Sequence, residues 1–300
     1  MIDDTYPNLD QVRSAEADIS FLAPGSFINR RFVSAGIEVN TGRYESHRVP
    51  VYDGRSLSDW FTLDRNGFVL AEHRSAVKDF HDNDELNRVY VEEALGVVRN
   101  LTGADLVTGR GWMVRTSGDI PEREPAEEGY QHVSGIQPPA AEAHVDFSPE
   151  TAEIMAAEIY REAFPNEKPY RRFISSSLWR AFSTPPQDTP LALCDGATVG
   201  RDEGELNALV VVDEIPDEQT MLGELPEGQG RITASIFHYN PAFRWWYFSN
   251  MTRDEVILLK FHDSDPSSAM RVPHTAFRDT SFPKATLRES IEFRSFAYFL

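Results

Sequence analysis

Three scarcities restrict what this sequence can be: it has one cysteine, few basic residues and no long apolar run. Cys194 cannot form an intrachain disulfide, and the opening MIDDTYPNLD has neither the basic nor the apolar region of a signal peptide, so a cytoplasmic protein is expected. The 29 lysines and arginines are outnumbered by 48 acidic residues, and the net charge of −19 disfavours nucleic acid and anionic membrane surfaces as partners. No run approaches the roughly 18 apolar residues that a membrane-spanning helix needs.

The remaining composition is that of a globular protein with a sizeable core. With 300 residues and 41% hydrophobic content, the chain can form one elaborated domain or two small ones. Residues 1–116 are interpreted as an amino-terminal arm with a supporting helix and strands of the same domain. The helix is predicted from Asn83 to Leu101, where apolar residues fall at helical spacing and Gly103 follows. Residues 117–143, rich in glycine, proline and acid, are predicted to be a lid loop.

Strand patterns dominate the carboxyl-terminal half of the sequence. From Arg171 onward, apolar segments such as RRFISSSLWRAF, LNALVVVDEI and EVILLKFHDS alternate with turn sequences such as TPPQDTP and PEGQG. Strands at this spacing, without helices between them, are typical of an antiparallel sandwich or barrel. The predicted fold is therefore mainly β with flanking helices, and residues 144–300 are predicted to form a double-stranded β-helix, a jelly-roll core like that of cupins.

The first candidate for chemistry is AHVDFSPE, in which His144 and Asp146 precede a helix start at Ser148. With 48 acidic residues and 8 histidines, about one such pair is expected by chance, and a strand end with a capping acid is the competing interpretation. A jelly roll brings distant strands together at its mouth, and His274 in RVPHTAF is suitably placed for a third ligand. Two imidazoles and one carboxylate suit Fe(II) and leave three positions open for a bidentate cosubstrate and dioxygen.

An iron site of this kind commonly uses 2-oxoglutarate, whose distal carboxylate needs a buried cation with paired N–H donors. Arg288 lies 14 residues after His274, at the start of the final strand pattern, and is the candidate anchor, with Arg294 as the alternative. The competing interpretation is that Arg288 is a solvated edge-strand residue paired with Glu289 or Glu292.

Five segments support a resemblance by their order along the chain. They are HVDFSPE, SLWRAF, PLALCD, NPAFRWWYFSNMTRDEVILLKFHDS, and PHTAF followed by RESIEFR. Over roughly residues 140–300, the sequence resembles the AsaB/CmcJ-type family of fungal gibberellin-desaturase-like proteins and the cephamycin 7α-methoxylation protein. The order of these motifs is more specific than any one of them.

The resemblance implies a double-stranded β-helix and an oxidation of small molecules that depends on iron and 2-oxoglutarate. It also implies that His144, Asp146 and His274 are the metal ligands. Arg288 is then the anchor of the cosubstrate, and Arg180 in SLWRAF is a further candidate for the cosubstrate site.

Aromatic residues and two departures from the family bear on the substrate. In RWWYFS, strand alternation places Trp245 and Tyr247 on one face, and these two are the candidates for substrate contact. The family often has asparagine where this chain has Ser177, and often has histidine where this chain has Phe243. If that family histidine touches substrate, the substrate or the reaction of this protein differs.

The resulting hypothesis is an Fe(II)- and 2-oxoglutarate-dependent oxygenase that uses dioxygen. The expected reaction is hydroxylation, desaturation or oxidative cyclisation of a small molecule in specialised-metabolite or amino-acid-derived biosynthesis. Two alternatives stay open: a metal-dependent hydrolase or isomerase on the same barrel, and a jelly roll that binds a small ligand without turnover. The expected partner is a small-molecule substrate, with neither nucleic acid nor membrane, and a homodimer is left open.

Overall fold

The computed structural model describes residues 6–34, 37–119 and 136–300, and strands dominate it. In chain order the strands are β1 (Ser14–Leu22), β2 (Arg30–Ser34), β3 (Ile37–Asn40), β4 (Tyr44–Asp53), β5 (Phe68–Glu72), β6 (Leu106–Thr116), β7 (His144–Val145), β8 (Arg172–Ala181), β9 (Leu191–Cys194), β10 (Glu205–Val211), β11 (Thr233–Ile236), β12 (Trp245–Tyr247), β13 (Glu255–Asp263), β14 (His274–Ala276) and β15 (Glu289–Phe299).

Within the described ranges, the strands form two sheets that share a core. The large sheet has ten strands in the order β1-β4-β12-β9-β14-β7-β11-β10-β2-β3, and the small sheet has five in the order β5-β13-β8-β15-β6. The pairs β2–β10 and β4–β12 are parallel, whereas the strands that carry the candidate residues pair antiparallel with their other neighbours. The predicted mainly-β, jelly-roll fold is confirmed.

The helices are few and short. They are α1 (Asn83–Glu85), α2 (Val91–Thr102), α3 (Pro149–Ala163) and α4 (Glu218–Leu222), with a π-helical turn at Leu86–Tyr90 and 3₁₀ turns at Leu9–Gln11, Gly54–Trp60 and Gly196–Thr198. Among the described residues, no helix has the length and apolar character needed to cross a membrane.

The helix predicted from Asn83 to Leu101 is confirmed, with the π-helical turn joining α1 to α2. Asp82 caps its amino terminus by accepting hydrogen bonds from the first backbone N–H groups, and Gly103 ends it with a φ of 69°. Its apolar side packs on the outer face of the small sheet, where Val98 and Phe293 belong to one buried cluster.

The helix predicted after Asp146 is confirmed as α3. Ser148 caps it, because its side-chain oxygen accepts a hydrogen bond from the N–H of Thr151 at 3.1 Å. Its buried side packs against β15, where the hydroxyl of Tyr298 donates to the carbonyl of Ala156 at 2.9 Å. Asp146 therefore lies in a short link between a strand of the large sheet and a helix anchored on the small sheet.

The first 116 residues contribute strands to both sheets. β4 and β2 pair with β12 and β10 of the large sheet, and β5 and β6 are the two outermost strands of the small sheet. The jelly roll therefore includes strands from outside residues 144–300. Of the lid loop predicted at 117–143, residues 120–135 lie outside the described residues.

Aromatic rings fill part of the space between the sheets. Trp246 on the large sheet is fully buried, and its ring lies 5.0 Å from that of Phe61. Phe61 in turn lies 4.9 Å from Phe68 on the small sheet, and Trp60 covers Trp246 at 6.0 Å. Each such ring buries about 150–250 Å² of surface, so these contacts hold the two sheets together.

Gly67 provides a test of this packing close to the candidate site. Its φ is +81°, and a Cβ there would lie only 2.6 Å from Cγ2 of Val272, two residues before His274. We expect Gly67→Ala to lower the free energy of unfolding by about 2–4 kcal/mol, because left-handed strain and steric overlap act together. Urea-induced unfolding measures this loss.

Gly103 is the matched control, because its φ is +69° and a Cβ there would meet nothing within 4 Å. Gly103→Ala should therefore cost only the left-handed strain, about 1–2 kcal/mol. Equal losses in the two variants would contradict the packing argument.

Candidate metal centre

The structure brings together the three side chains proposed as metal ligands. His274 on β14 is the direct cross-strand partner of His144 on β7, and Asp146 lies two residues further along the chain. Their ring and carboxylate donor atoms all lie within 4.8 Å of one another. Oδ1 of Asp146 is 3.4 Å from Nε2 of His144 and 3.6 Å from Nε2 of His274.

Backbone contacts orient both imidazoles in the same way. Nδ1 of His144 lies 2.8 Å from the carbonyl oxygen of Glu142, and Nδ1 of His274 lies 3.1 Å from that of Val272. A carbonyl oxygen only accepts, so each Nδ1 carries a hydrogen, and in the neutral form of each imidazole Nε2 presents its lone pair. Two imidazole lone pairs and one carboxylate oxygen thus face the same small space, which is the donor set of a metal site with open positions.

The electrostatics of the cluster keep Asp146 ionised. Burial alone would raise the pKa of Asp146, but Arg294, with His144 and His274, outweighs burial and holds that pKa well below its usual range. Burial also opposes protonation of His144, yet the hydrogen bond and charge of Asp146 raise the pKa of His144. Burial and then the charge of His144 lower the pKa of His274.

A chain of alternating charges leads away from Asp146. Nη2 of Arg294 forms an ion pair with Oδ2 of Asp146 at 2.6 Å and donates a hydrogen bond to Oε1 of Glu292 at 2.9 Å. Arg115 binds the other side of Glu292 through Nε at 3.1 Å. Arg294, the alternative anchor for 2-oxoglutarate, is therefore engaged with a proposed metal ligand.

Arg288 is buried rather than solvated. Only 2% of it is exposed, and its guanidinium lies 5.7 Å from the ring centroid of Trp179 on the inner face of the small sheet. Nη1 donates to the carbonyl of Thr189 at 3.0 Å, whereas Nε has no hydrogen-bond partner among the described residues. Burial, followed by the charge of Arg115, lowers the pKa of Arg288 to about 9, so the group is mostly charged at neutral pH.

The structure does not bring Arg180 to the metal centre. Arg180 faces Ile291 across the strand pair, on the side of the small sheet that packs against α2. There its guanidinium donates to the carbonyls of His73 and Arg253 and lies 5.7 Å from the ring of Tyr90. Alternate residues of a strand point to opposite faces, so Arg180 cannot share the inner face with Trp179.

Trp245 and Tyr247, the candidates for substrate contact, lie on the face of the large sheet that points away from the metal centre. The register pairs Trp246 with Leu193, and Leu193 with His274, so Trp246 shares the face of the metal centre. Trp245 and Tyr247 point to the other side, where both are buried and Tyr247 packs against other side chains of the large sheet. The sequence predicted that Trp245 and Tyr247 share one face of a strand, but it did not predict which face of that strand meets the metal centre.

The sequence patterns did not identify Glu292 or Arg115 as parts of this site. Glu292 was considered only as a surface partner of Arg288, whereas its side chain is only 14% exposed and accepts a hydrogen bond from Arg294. The available signal was the spacing in RESIEFR, because residues 292 and 294 share one face of a strand. Ser177, where the family often has asparagine, is the cross-strand partner of Arg294, and Phe243 is buried beside Phe237.

Comparisons with known proteins agree with this geometry. Residues 20–298 match the family described as oxidoreductase/YMDC permease-like domain. The hydroxylase/desaturase efuI of Hormonema carpetanum is 31% identical over 85% of this chain and 85% of its own length. The alpha-ketoglutarate-dependent dioxygenase phiK of a fungal species is 27% identical over 88% of both chains. The solved structure of the iron and alpha-ketoglutarate-dependent endoperoxidase NvfI, 22% identical, has the same fold, with a TM-score of 0.75 over 95% of this chain and 98% of that one.

Single replacements of the three candidate ligands test the centre. We expect His144→Ala, Asp146→Ala and His274→Ala each to weaken Co(II) binding by more than about 100-fold, because outer partners of a ligand alone contribute about 10–100-fold. Isothermal titration measures the affinity, and circular dichroism checks the fold. His238→Ala is the control, since His238 pairs with Glu205 at 3.9 Å outside the cluster. Wild-type affinity in any of the three variants would remove that residue from the ligand set.

Proposed function

The chain belongs to the oxidoreductase family represented by that domain and by the hydroxylase/desaturase relatives, and from this premise we propose that it is an Fe(II)- and 2-oxoglutarate-dependent oxygenase of small molecules. The observation that carries the proposal is the convergence of two Nε2 atoms and one carboxylate oxygen inside the jelly roll. This set of two histidines and one carboxylate leaves positions open for other ligands and is typical of non-haem Fe(II) oxygenases.

The residues present fit both the metal and the cosubstrate. His144, Asp146 and His274 would hold Fe(II), and their side chains are only 11–12% exposed. Arg288 would hold the distal carboxylate of 2-oxoglutarate, because it is a buried cation beside Trp179 on the inner face and makes no ion pair with a carboxylate among the described residues. When bound, Fe(II) and 2-oxoglutarate supply the oxidising chemistry, with dioxygen as the oxidant and succinate and carbon dioxide as co-products.

The protein's own side chains position these groups and exclude water. Phe261 stacks on His274 with ring centroids 5.6 Å apart, and Phe147 packs against Phe261 at 5.8 Å. These rings cover one side of the metal centre with apolar surface, which keeps solvent from the reacting groups. The ring of Trp179 likewise covers the guanidinium of Arg288 with apolar surface. A carboxylate that bound Arg288 would therefore pair with it away from water.

The proposed reaction is hydroxylation, desaturation or oxidative cyclisation of a small molecule in specialised-metabolite or amino-acid-derived biosynthesis. The names of the relatives support the first two outcomes, since efuI is called a hydroxylase/desaturase. Phe243 supports a difference in substrate or outcome from family members that have histidine there, because a buried phenylalanine offers no hydrogen bond. A cytoplasmic location remains a prediction from the sequence, and a homodimer stays open.

Anaerobic titration tests the proposed function directly. Fe(II) and then 2-oxoglutarate are added to the wild-type protein, and we expect the visible absorption band of an Fe(II)–2-oxoacid chelate to develop at one equivalent. Metal binding without this band would instead favour a hydrolase or isomerase, and the absence of metal binding would favour a ligand-binding jelly roll.

Arg288 turns a metal site into a 2-oxoglutarate site, so its replacement has a specific expected effect. Loss of a charge-assisted pair in a desolvated pocket costs on the order of 2–5 kcal/mol, so Arg288→Ala should raise the apparent dissociation constant for 2-oxoglutarate roughly 30-fold to several thousand-fold. Arg288→Lys should also be costly, because an ammonium group cannot donate two parallel hydrogen bonds to one carboxylate. The same anaerobic titration measures both constants.

The control for this experiment is Arg180→Lys, which changes another buried arginine on the opposite face of the small sheet. It should leave the constant for 2-oxoglutarate unchanged. A wild-type constant in Arg288→Ala would show that the distal carboxylate is held elsewhere.

A further inference from the structure

The two oxygens of Asp146 face different partners. Oδ1 points toward Nε2 of His144 and Nε2 of His274, at 3.4 and 3.6 Å. Oδ2 forms an ion pair with Arg294, whose Nη2 lies 2.6 Å away. One oxygen is therefore turned toward the metal position, and the other is occupied by a guanidinium.

Arg294 is itself held in place from the side away from Asp146. The Nη2 atom that contacts Asp146 also lies 2.9 Å from Oε1 of Glu292, and Glu292 is fixed in turn by Arg115 at 3.1 Å. Burial alone would raise the pKa of Glu292, but Arg115 and Arg294 outweigh it and lower that pKa, so Glu292 is an anion. Arg294 thus bridges two carboxylates that are only 11% and 14% exposed.

The local strand geometry suits this bridge. Arg294 and Glu292 share the inner face of β15, and the residue directly opposite Arg294 on β8 is the small Ser177. On the other side, the pairing of β15 with β6 shifts between Phe293 and Ser295, where Gly111 has a φ of +93°. A bulge of this kind re-aims the strand locally, beside the residue that contacts Asp146.

We propose that Arg294 is a positioning residue that keeps Asp146 a one-oxygen metal ligand, and that Glu292 holds Arg294 for this task. The inference rests on the proposed function, because it assumes that Asp146 ligates the metal. A carboxylate can bind a metal through one oxygen or through both. If both oxygens of Asp146 bound, one of the three positions needed by a bidentate cosubstrate and dioxygen would be lost.

The same contacts distinguish the two arginines near the start and middle of β15. Nη2 of Arg294 contacts two carboxylates, so its charge is already balanced within the protein. The guanidinium of Arg288 donates to the carbonyl of Thr189, and no ion pair joins it to a carboxylate among the described residues. Glu292 lies between them in sequence, and by engaging Arg294 it leaves Arg288 as the cation for an incoming carboxylate.

The experiment counts water molecules on bound Mn(II), without 2-oxoglutarate or dioxygen. Broadening of the Mn(II) electron paramagnetic resonance lines in ¹⁷O-enriched water gives the number of coordinated waters. Mn(II) prefers six ligands, so wild-type protein with three protein ligand atoms should show about three waters. Arg294→Met removes the cation beside Oδ2 while keeping an unbranched side chain, and it should show about two waters, because Asp146 is then free to bind through both oxygens.

The matched control is Arg115→Met, which also removes a cation from Glu292 but touches no candidate ligand. It should keep about three waters. If Arg294→Met does not fold, Glu292→Gln/Arg294→Met carries the same test, since it removes the cation together with its second anion. This double variant should also show about two waters.

The outcomes separate the inference from the function on which it rests. A wild-type protein that binds Mn(II), together with an Arg294 variant that still has about three waters, would overturn the positioning role alone. Loss of Mn(II) binding in the Arg294 variants would overturn it too, because Arg294 would then be needed for affinity rather than for one-oxygen binding. A wild-type protein that does not bind Mn(II), or binds it unchanged in His274→Ala, would overturn the proposed metal site itself.

Discussion

The pairing of His274 with His144 across β14 and β7 is the constraint on which the site depends. The two strands are only three and two residues long, and their register is held by β9 on one side and β11 on the other. Side chains alternate between faces, so a slip of one residue would turn an imidazole away from Asp146. The neighbouring strands of the large sheet thus hold His144 and His274 directly opposite each other.

A second constraint is the balance of charge inside a strongly acidic protein. A charge shielded from water is costly when it has no partner, and the partly buried Asp146, Arg294 and Glu292 lower that cost by pairing with one another. The surface can carry the net charge of −19 because water solvates it, whereas the interior requires local pairing. Arg288 differs from these three residues, because it is buried and makes no ion pair with a carboxylate among the described residues, and the proposed dianionic cosubstrate would supply one.

The features that could be predicted from the sequence are those that depend on local pattern. The helix after Ser148, the antiparallel strands and the convergence of three distant ligand candidates follow from capping, alternation and motif order. Alternation also separated Trp245 from Trp246, but which face meets the small sheet is set by pairing with β9, a long-range contact. The face on which Arg180 lies is likewise set by a long-range contact, the pairing of β8 with β15. Glu292 was missed because its role depends on the contact between Arg294 and Asp146. That contact exists only when β15 lies next to Asp146 in the folded protein.

The order of strands in the small sheet has a consequence for how the metal centre comes into being. β15 lies between β8 and β6, so residues near 290 must meet partners near 110 and 180 before this sheet is continuous. Contacts so distant along the chain form slowly during folding. His144 and Asp146 are local neighbours, but Arg294 joins them only when these late pairings form, and His274 joins them only through the equally distant pairing of β14 with β7. The three candidate ligands and Arg294 therefore come together only in a nearly native protein, in which the surrounding side chains already enclose the site.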